Sequence, residues 1–142
     1  MGKCYNSITI PAPASEVWAA LRNFHDMSWA EGVITSCVAV GDTSADQVGA
    51  QRVLNDAFHE TLKSHDDENR VMTYSIDDGP AATSKDNVSG YVGKLQVFPV
   101  TDEEKTFVLW TSSWESSGSE DVAAFCDPIY QALLSDLKQT FA

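Results

Sequence analysis

Three side chains in this sequence could do chemistry together if a fold brings them close: Arg52, Glu60 and Tyr91. Arg52 and Glu60 flank a turn centred near Asp56, at positions that share one face of a hairpin. If that face is the inner one, a guanidinium and a carboxylate meet in apolar surroundings. Such a pair can orient a polar group of a bound molecule, or it can be a structural salt bridge of little net stability. A third use is catalytic: burial raises a carboxylate's pKa, which would let Glu60 act as a base while Arg52 or Tyr91 steadies an enolate. Tyr91 alternates with Val92 and falls in step with Gly93, Leu95 and Val97, so it should look inward, with a hydroxyl that needs a partner.

Other chemistries find no support in the residue pattern. There is no nucleophile elbow, no phosphate loop and no His-based dyad. His25, His59 and His65 are scattered and no His or Cys pair sits at ligand spacing, so neither a metal nor another cofactor is expected. The three cysteines, Cys4, Cys37 and Cys126, are odd in number and far apart, and no signal peptide is read ahead of them; a reduced, cytoplasmic setting is the expectation. Nine basic against 21 acidic side chains give a net charge of −12, which argues against nucleic acid and anionic membrane surfaces as partners. No apolar run approaches the length of a membrane span.

The elements that must position these residues follow from the pattern of the 142 residues. Residues 3–10 read as a strand ended by Pro11 and Pro13. A helix follows, with Ser15 as its cap and Val17, Trp18, Leu21 and Phe24 at helical spacing. Residues 25–32 fit a short second helix or a loop. Six strands are then expected, at 33–40, 49–54, 59–66, 70–77, 87–99 and 105–115, separated by turn signals short enough to imply antiparallel neighbours. Residues 81–86 read as a mobile loop. The chain ends in a long helix capped by Ser119, with Glu120 and Asp121 in its first turn and an apolar stripe of Val122, Phe125, Cys126, Ile129, Leu133 and Leu137. No linker or repeat interrupts this order, so residues 1–142 are expected to be one α+β domain.

Strand parity nominates the residues of an internal site. Glu60 shares a face with Leu62, and Arg52 with Leu54; Tyr74 lies in the apolar set of its strand with Met72 and Ile76. In the last strand the set containing Val108, Trp110, Ser112 and Trp114 is favoured as inner. Trp29, in the loop after the first helix, is a candidate for a pocket rim. Gly90 and Gly93 in one long strand mark a bulge or a close approach that bends the sheet.

This order, with several local strings, resembles the helix-grip superfamily of START domains, birch-pollen-allergen-like plant proteins, abscisic-acid receptors and bacterial polyketide cyclases/dehydrases. The strings are Ile10-Pro11-Ala12-Pro13-Ala14-Ser15-Glu16-Val17-Trp18, the Phe24 to Trp29 segment, Gly49-Ala50-Gln51-Arg52 and Glu60-Thr61-Leu62, then Tyr74 to Pro80, Gly90-Tyr91-Val92-Gly93 and Val108-Leu109-Trp110. The resemblance implies a seven-stranded antiparallel sheet curved around the C-terminal helix, two short helices after the first strand, and a cavity between sheet and helix. It implies a function in binding a small, largely apolar ligand such as a lipid, polyketide or aromatic metabolite, as a carrier or sequestering protein. A cyclase or dehydratase using Glu60, Arg52 and Tyr91 is the alternative, and a protein-interaction module without ligand is a third. Measured against the abscisic-acid receptors, the acid-binding lysine falls at Thr35, which carries no charge, while their acidic residue and a cavity tyrosine match Glu60 and Tyr91. Their gate and latch strings are absent, so hormone sensing is disfavoured and a neutral or cationic ligand is expected. The full expected site is Trp29, Thr35, Arg52, Leu54, Glu60, Leu62, Tyr74, Tyr91, Trp110, Phe125, Ile129 and Leu133, the last three as a lid.

Overall fold

A computed structural model describes residues 2–116, 118 and 121–142. The strands are β1 (Gly2–Ile10), β2 (Cys37–Val40), β3 (Gln51–Leu54), β4 (Phe58–Asp66), β5 (Val71–Asp78), β6 (Val88–Val100) and β7 (Lys105–Ser116). Two α-helices, α1 (Ala14–Leu21) and α2 (Val122–Thr140), cover one face of the sheet. From β2 to β7 the strands form an antiparallel meander, and β1 closes the far side by pairing with β7, in the order β1-β7-β6-β5-β4-β3-β2. No helix among the described residues is long and apolar enough to cross a membrane.

The alternation seen in the sequence decides which face is covered. Leu62, Met72, Tyr74, Tyr91, Leu95, Val97, Val108, Trp110 and Trp114 are all buried, so the tryptophan set of β7 does point inward. On α1 the buried positions Ala14, Val17, Trp18 and Leu21 follow the 3.6-residue period. Asp67 in the β4–β5 turn holds that helix in place: its Oδ1 accepts from the Trp18 indole at 2.8 Å, and both its oxygens accept from the Arg22 guanidinium.

Helix α2 is held to its surroundings by polar contacts at both ends. Asn6 Nδ2 of β1 donates to Asp127 Oδ1 at 2.9 Å. Near the C-terminus, Asp136 Oδ2 accepts from the Gly32 amide at 3.0 Å and Thr140 Oγ1 donates to the Trp29 carbonyl at 3.2 Å.

Several local expectations are corrected. The first helix is not capped by Ser15: its N-cap is Pro13 and no side chain caps it, because Ser15 already lies inside the first turn. Only one α-helix follows β1; the expected second is a single 3-10 turn over Ser28–Ala30. The proposed cap Ser119, with Glu120, lies outside the described residues, and Asp121 caps α2 by accepting from the Ala124 amide at 3.1 Å. Strand β2 begins at Cys37 and not at Val33 because Asn55 takes up the backbone before it. Its Oδ1 accepts from the Thr35 and Ser36 amides and its Nδ2 donates to the Val33 carbonyl. The segment expected to be a mobile loop contains a 3-10 turn, Ala81–Thr83, with Ala82 and Thr83 buried. It is held by Asn87 Nδ2 donating to the Ala82 carbonyl and by Asp78 accepting from the Lys85 amide.

The two glycines of β6 serve different purposes. Gly90 has a φ of +61° and sits where the β6–β7 register shifts between Ser89 and Val92, a bulge that a side chain would strain. Gly93 lies opposite Tyr74, whose ring occupies the space a Cβ would take. Gly93→Ala must therefore displace that ring, and overpacking of this kind costs about 1–3 kcal/mol. Urea unfolding should show that loss, with near-ultraviolet circular dichroism reporting a changed tyrosine environment.

Candidate functional site

The β3–β4 hairpin delivers the charged pair. Its turn carries Asn55 and Asp56 at φ of 54° and 55°, a left-handed conformation that these two residue types tolerate better than most. Beyond the turn the register sets Arg52 directly opposite Glu60. Both side chains are buried, with Arg52 Nε 2.8 Å and Nη2 2.7 Å from Glu60 Oε1. The third guanidinium nitrogen, Nη1, donates to the Phe24 carbonyl at 2.9 Å and touches Met27 Sδ at 3.5 Å. The Phe24 ring lies 3.9 Å from the guanidinium carbon and the Tyr74 ring 5.6 Å away, so aromatic faces complete the cation's surroundings. Glu60 Oε2 accepts no hydrogen bond from any described residue.

Burial raises the Glu60 pKa above the usual carboxylate range, while the charge and hydrogen bonds of Arg52 oppose the rise. A folded-state pKa above the unfolded one means that the folded chain binds the extra proton. The contribution of Glu60 to stability is therefore fullest below its unfolded pKa and falls as pH rises through the folded one.

A second polar group crosses from sheet to helix. Trp110 Nε1 donates to Tyr74 Oη at 3.0 Å, Tyr74 Oη lies 3.2 Å from Tyr130 Oη of α2, and Tyr130 in turn bonds Tyr91 Oη. Burial pushes all three phenols up, so they remain protonated and act as neutral donors and acceptors. Tyr91 also stacks on Trp114, with ring planes 5° apart and centroids at 5.4 Å.

Between the pair and the tyrosines lies a cavity of about 40 Å³. On the measure by which one water needs about 10–15 Å³, this is room for roughly three waters. The wall takes in Arg52, Leu54, Glu60, Tyr74, Tyr91, Trp110, Ile129 and Leu133, eight of the twelve residues expected from the sequence. The other four lie elsewhere. Trp29 is buried against Trp110 and is not at a rim. Leu62 is fully enclosed core. Thr35 is exposed and hydrogen-bonded to Asn55, because the segment before β2 turns outward to meet that side chain. Phe125 sits outside the wall with its ring 6.5 Å from that of Phe58.

Sequence reasoning missed Met27, Ile34, Phe58, Ile76, Cys126 and Tyr130 as wall residues. Cys126 was on the expected stripe without a site role, and its thiol is pushed up to about 11 by burial. Tyr130 is absent from the expected stripe, although it lies four residues after Cys126 and three before Leu133, the spacing that marks one helical face. Ile34, Phe58, Ile76 and Ile129 are only half-buried and form an apolar mouth.

Removing one partner of the buried pair leaves an uncompensated charge, whereas removing both does not. Glu60→Leu should lose about 3–5 kcal/mol of stability, and the double variant Arg52→Met/Glu60→Leu should recover most of it. Equilibrium denaturation of the four chains as a double-mutant cycle measures the difference.

Comparison with known proteins places the whole architecture. A protein of Nitrosospira multiformis, 42% identical, superposes with a TM-score of 0.96 over 99% of this chain and 97% of its own. XoxI of Bacillus cereus, 23% identical, reaches 0.81 over 99% and 96%, and a Thermobifida fusca protein, 21% identical, reaches 0.81 over 99% and 93%; these two share the fold. No curated protein matches the sequence. The profile described as "Polyketide cyclase / dehydrase and lipid transport" matches residues 1–142. The chain therefore belongs to the polyketide cyclase/dehydrase and lipid transport family.

Proposed function

We propose that this protein binds a small, largely apolar molecule between α2 and the sheet, as a carrier or sequestering protein. The observation that carries the reading is Glu60 Oε2, a carboxylate oxygen with no hydrogen bond from a described residue, at the wall of an otherwise mostly apolar cavity. Glu60 lines the cavity, so its second carboxylate oxygen is a ready acceptor there, and a guest's O–H or N–H would supply the donor. Family membership supports the same reading.

The cavity of about 40 Å³ is far below the roughly 300–1,000 Å³ typical of pockets for larger metabolites. Tyr74, Tyr91, Trp110 and Tyr130 fill the space that a long lipid or extended polyketide would need. Compact aromatic guests are accordingly favoured, and entry requires the Phe58 and Ile129 sides of the mouth to part. Catalysis by Glu60 as a base has its raised pKa in favour. It has less support than carriage, because Arg52 is already engaged through all three nitrogens and the Tyr91 hydroxyl is tied to that of Tyr130. A protein-interaction role finds less again: the exposed apolar side chains Tyr5, Val38, Val40, Val48, Val92 and Phe98 are spread over β1, β2, β6 and the loop before β3.

Indole, a compact uncharged aromatic, tests the reading. In excess it should raise the melting temperature of the wild-type protein, and Ile129→Trp, which obstructs the mouth, should abolish the rise. An unchanged melting temperature with wild type, or a rise that survives Ile129→Trp, would count against binding under α2.

A further inference from the structure

The polar groups of the cavity are unequal in what they leave open. Among the described residues Arg52 is the only cation in its wall, and each of its nitrogens already has a partner: Nε and Nη2 on Glu60 Oε1, Nη1 on the Phe24 carbonyl and Met27 Sδ. The flat face of the guanidinium is covered by Phe24. An anionic guest would have to break this arrangement to reach the charge, and would then face the Glu60 carboxylate at short range in a medium of low dielectric constant. Glu60 Oε2 is in the opposite condition, an acceptor with no donor among the described residues. Arg52 thus acts as a positioning residue: it holds Oε1 and leaves Oε2 for the guest.

We infer that the guest is a compact apolar molecule carrying an O–H or N–H donor, that this donor bonds Glu60 Oε2, and that carboxylates are rejected. The inference rests on the proposed binding under α2 and names the class of ligand for that site. A donor on a charged acceptor in a water-poor cavity outweighs the same body without a donor by a net amount worth about tenfold in affinity or more. The neutral tyrosine hydroxyls add no charge preference of their own, so Glu60 alone sets the sign.

Four probes with one shared body separate the possibilities: p-cresol, p-toluidine, toluene and p-toluate, titrated into the wild-type protein at pH 7 while the methyl signals of Ile34, Ile76, Ile129 and Leu133 are followed by NMR. The expected order is p-cresol and p-toluidine about tenfold tighter than toluene, with no saturable shift from p-toluate. In the double variant Arg52→Met/Glu60→Leu the advantage of the donor probes over toluene should vanish while toluene still binds. Toluene binding as tightly as p-cresol, p-toluate binding as well as either donor, or a donor advantage unchanged in the double variant would each overturn the inference and leave binding under α2 intact. If none of the four shifts these signals, binding under α2 fails and the inference with it. The wild-type series decides the matter even if the double variant does not fold.

Discussion

A buried ion pair organises this domain. Arg52 and Glu60 sit opposite each other on adjacent strands, away from water, where either charge alone would be costly. Satisfying the guanidinium draws in the Phe24 carbonyl and Met27, both in the segment after α1, and so ties that segment to the middle of the sheet. The Tyr74 ring then closes over the pair, and Gly93 is required behind the ring. Each of these placements follows from keeping one cation and one anion together in an apolar interior.

The pair contributes geometry more than stability. Its two charges lose much of their hydration on folding, and their mutual attraction roughly repays the loss. The hydrophobic contribution comes from the wide inner face, where four aromatic side chains from β5, β6, β7 and α2 meet around a hydroxyl chain. Hydrogen bonding lets three phenols and an indole share a space too dry for any of them singly. The same side chains leave little room. A fold able to enclose a large guest is, in this sequence, largely filled from within.

Much of this arrangement was legible in the sequence, for identifiable reasons. Period-two alternation placed Tyr74, Tyr91 and Trp110 on the inner face, and the Asn55-Asp56 turn signal put Arg52 and Glu60 side by side. What parity cannot see is where a segment leaves the sheet. Thr35 lies on the exterior because the Asn55 side chain replaces ladder partners, a tertiary bond with no local signature. Trp29 is core because the 3-10 turn that contains it and Thr140 at the end of α2 fold it against Trp110. On α2 the expected stripe shares Val122, Cys126, Leu133 and Leu137 with the buried face, but takes the half-buried Phe125 and Ile129 in place of Tyr130 and Leu134. The polarity of the tyrosine hydroxyl concealed a residue that the helical period includes.

The uneven fastening of α2 has a mechanical consequence. Along β1 and residues 29–32 the helix is bolted by the polar contacts of Asp127, Asp136 and Thr140, while at the mouth it meets Phe58 through apolar contact. Directional bonds resist sliding and apolar contacts permit it. The helix is therefore the fixed jaw. Facing it, Asn55 clasps residues 33–36 to the tip of the β3–β4 hairpin, so Ile34 and Phe58 are carried on one cross-linked unit, and a single asparagine ties that side of the mouth together.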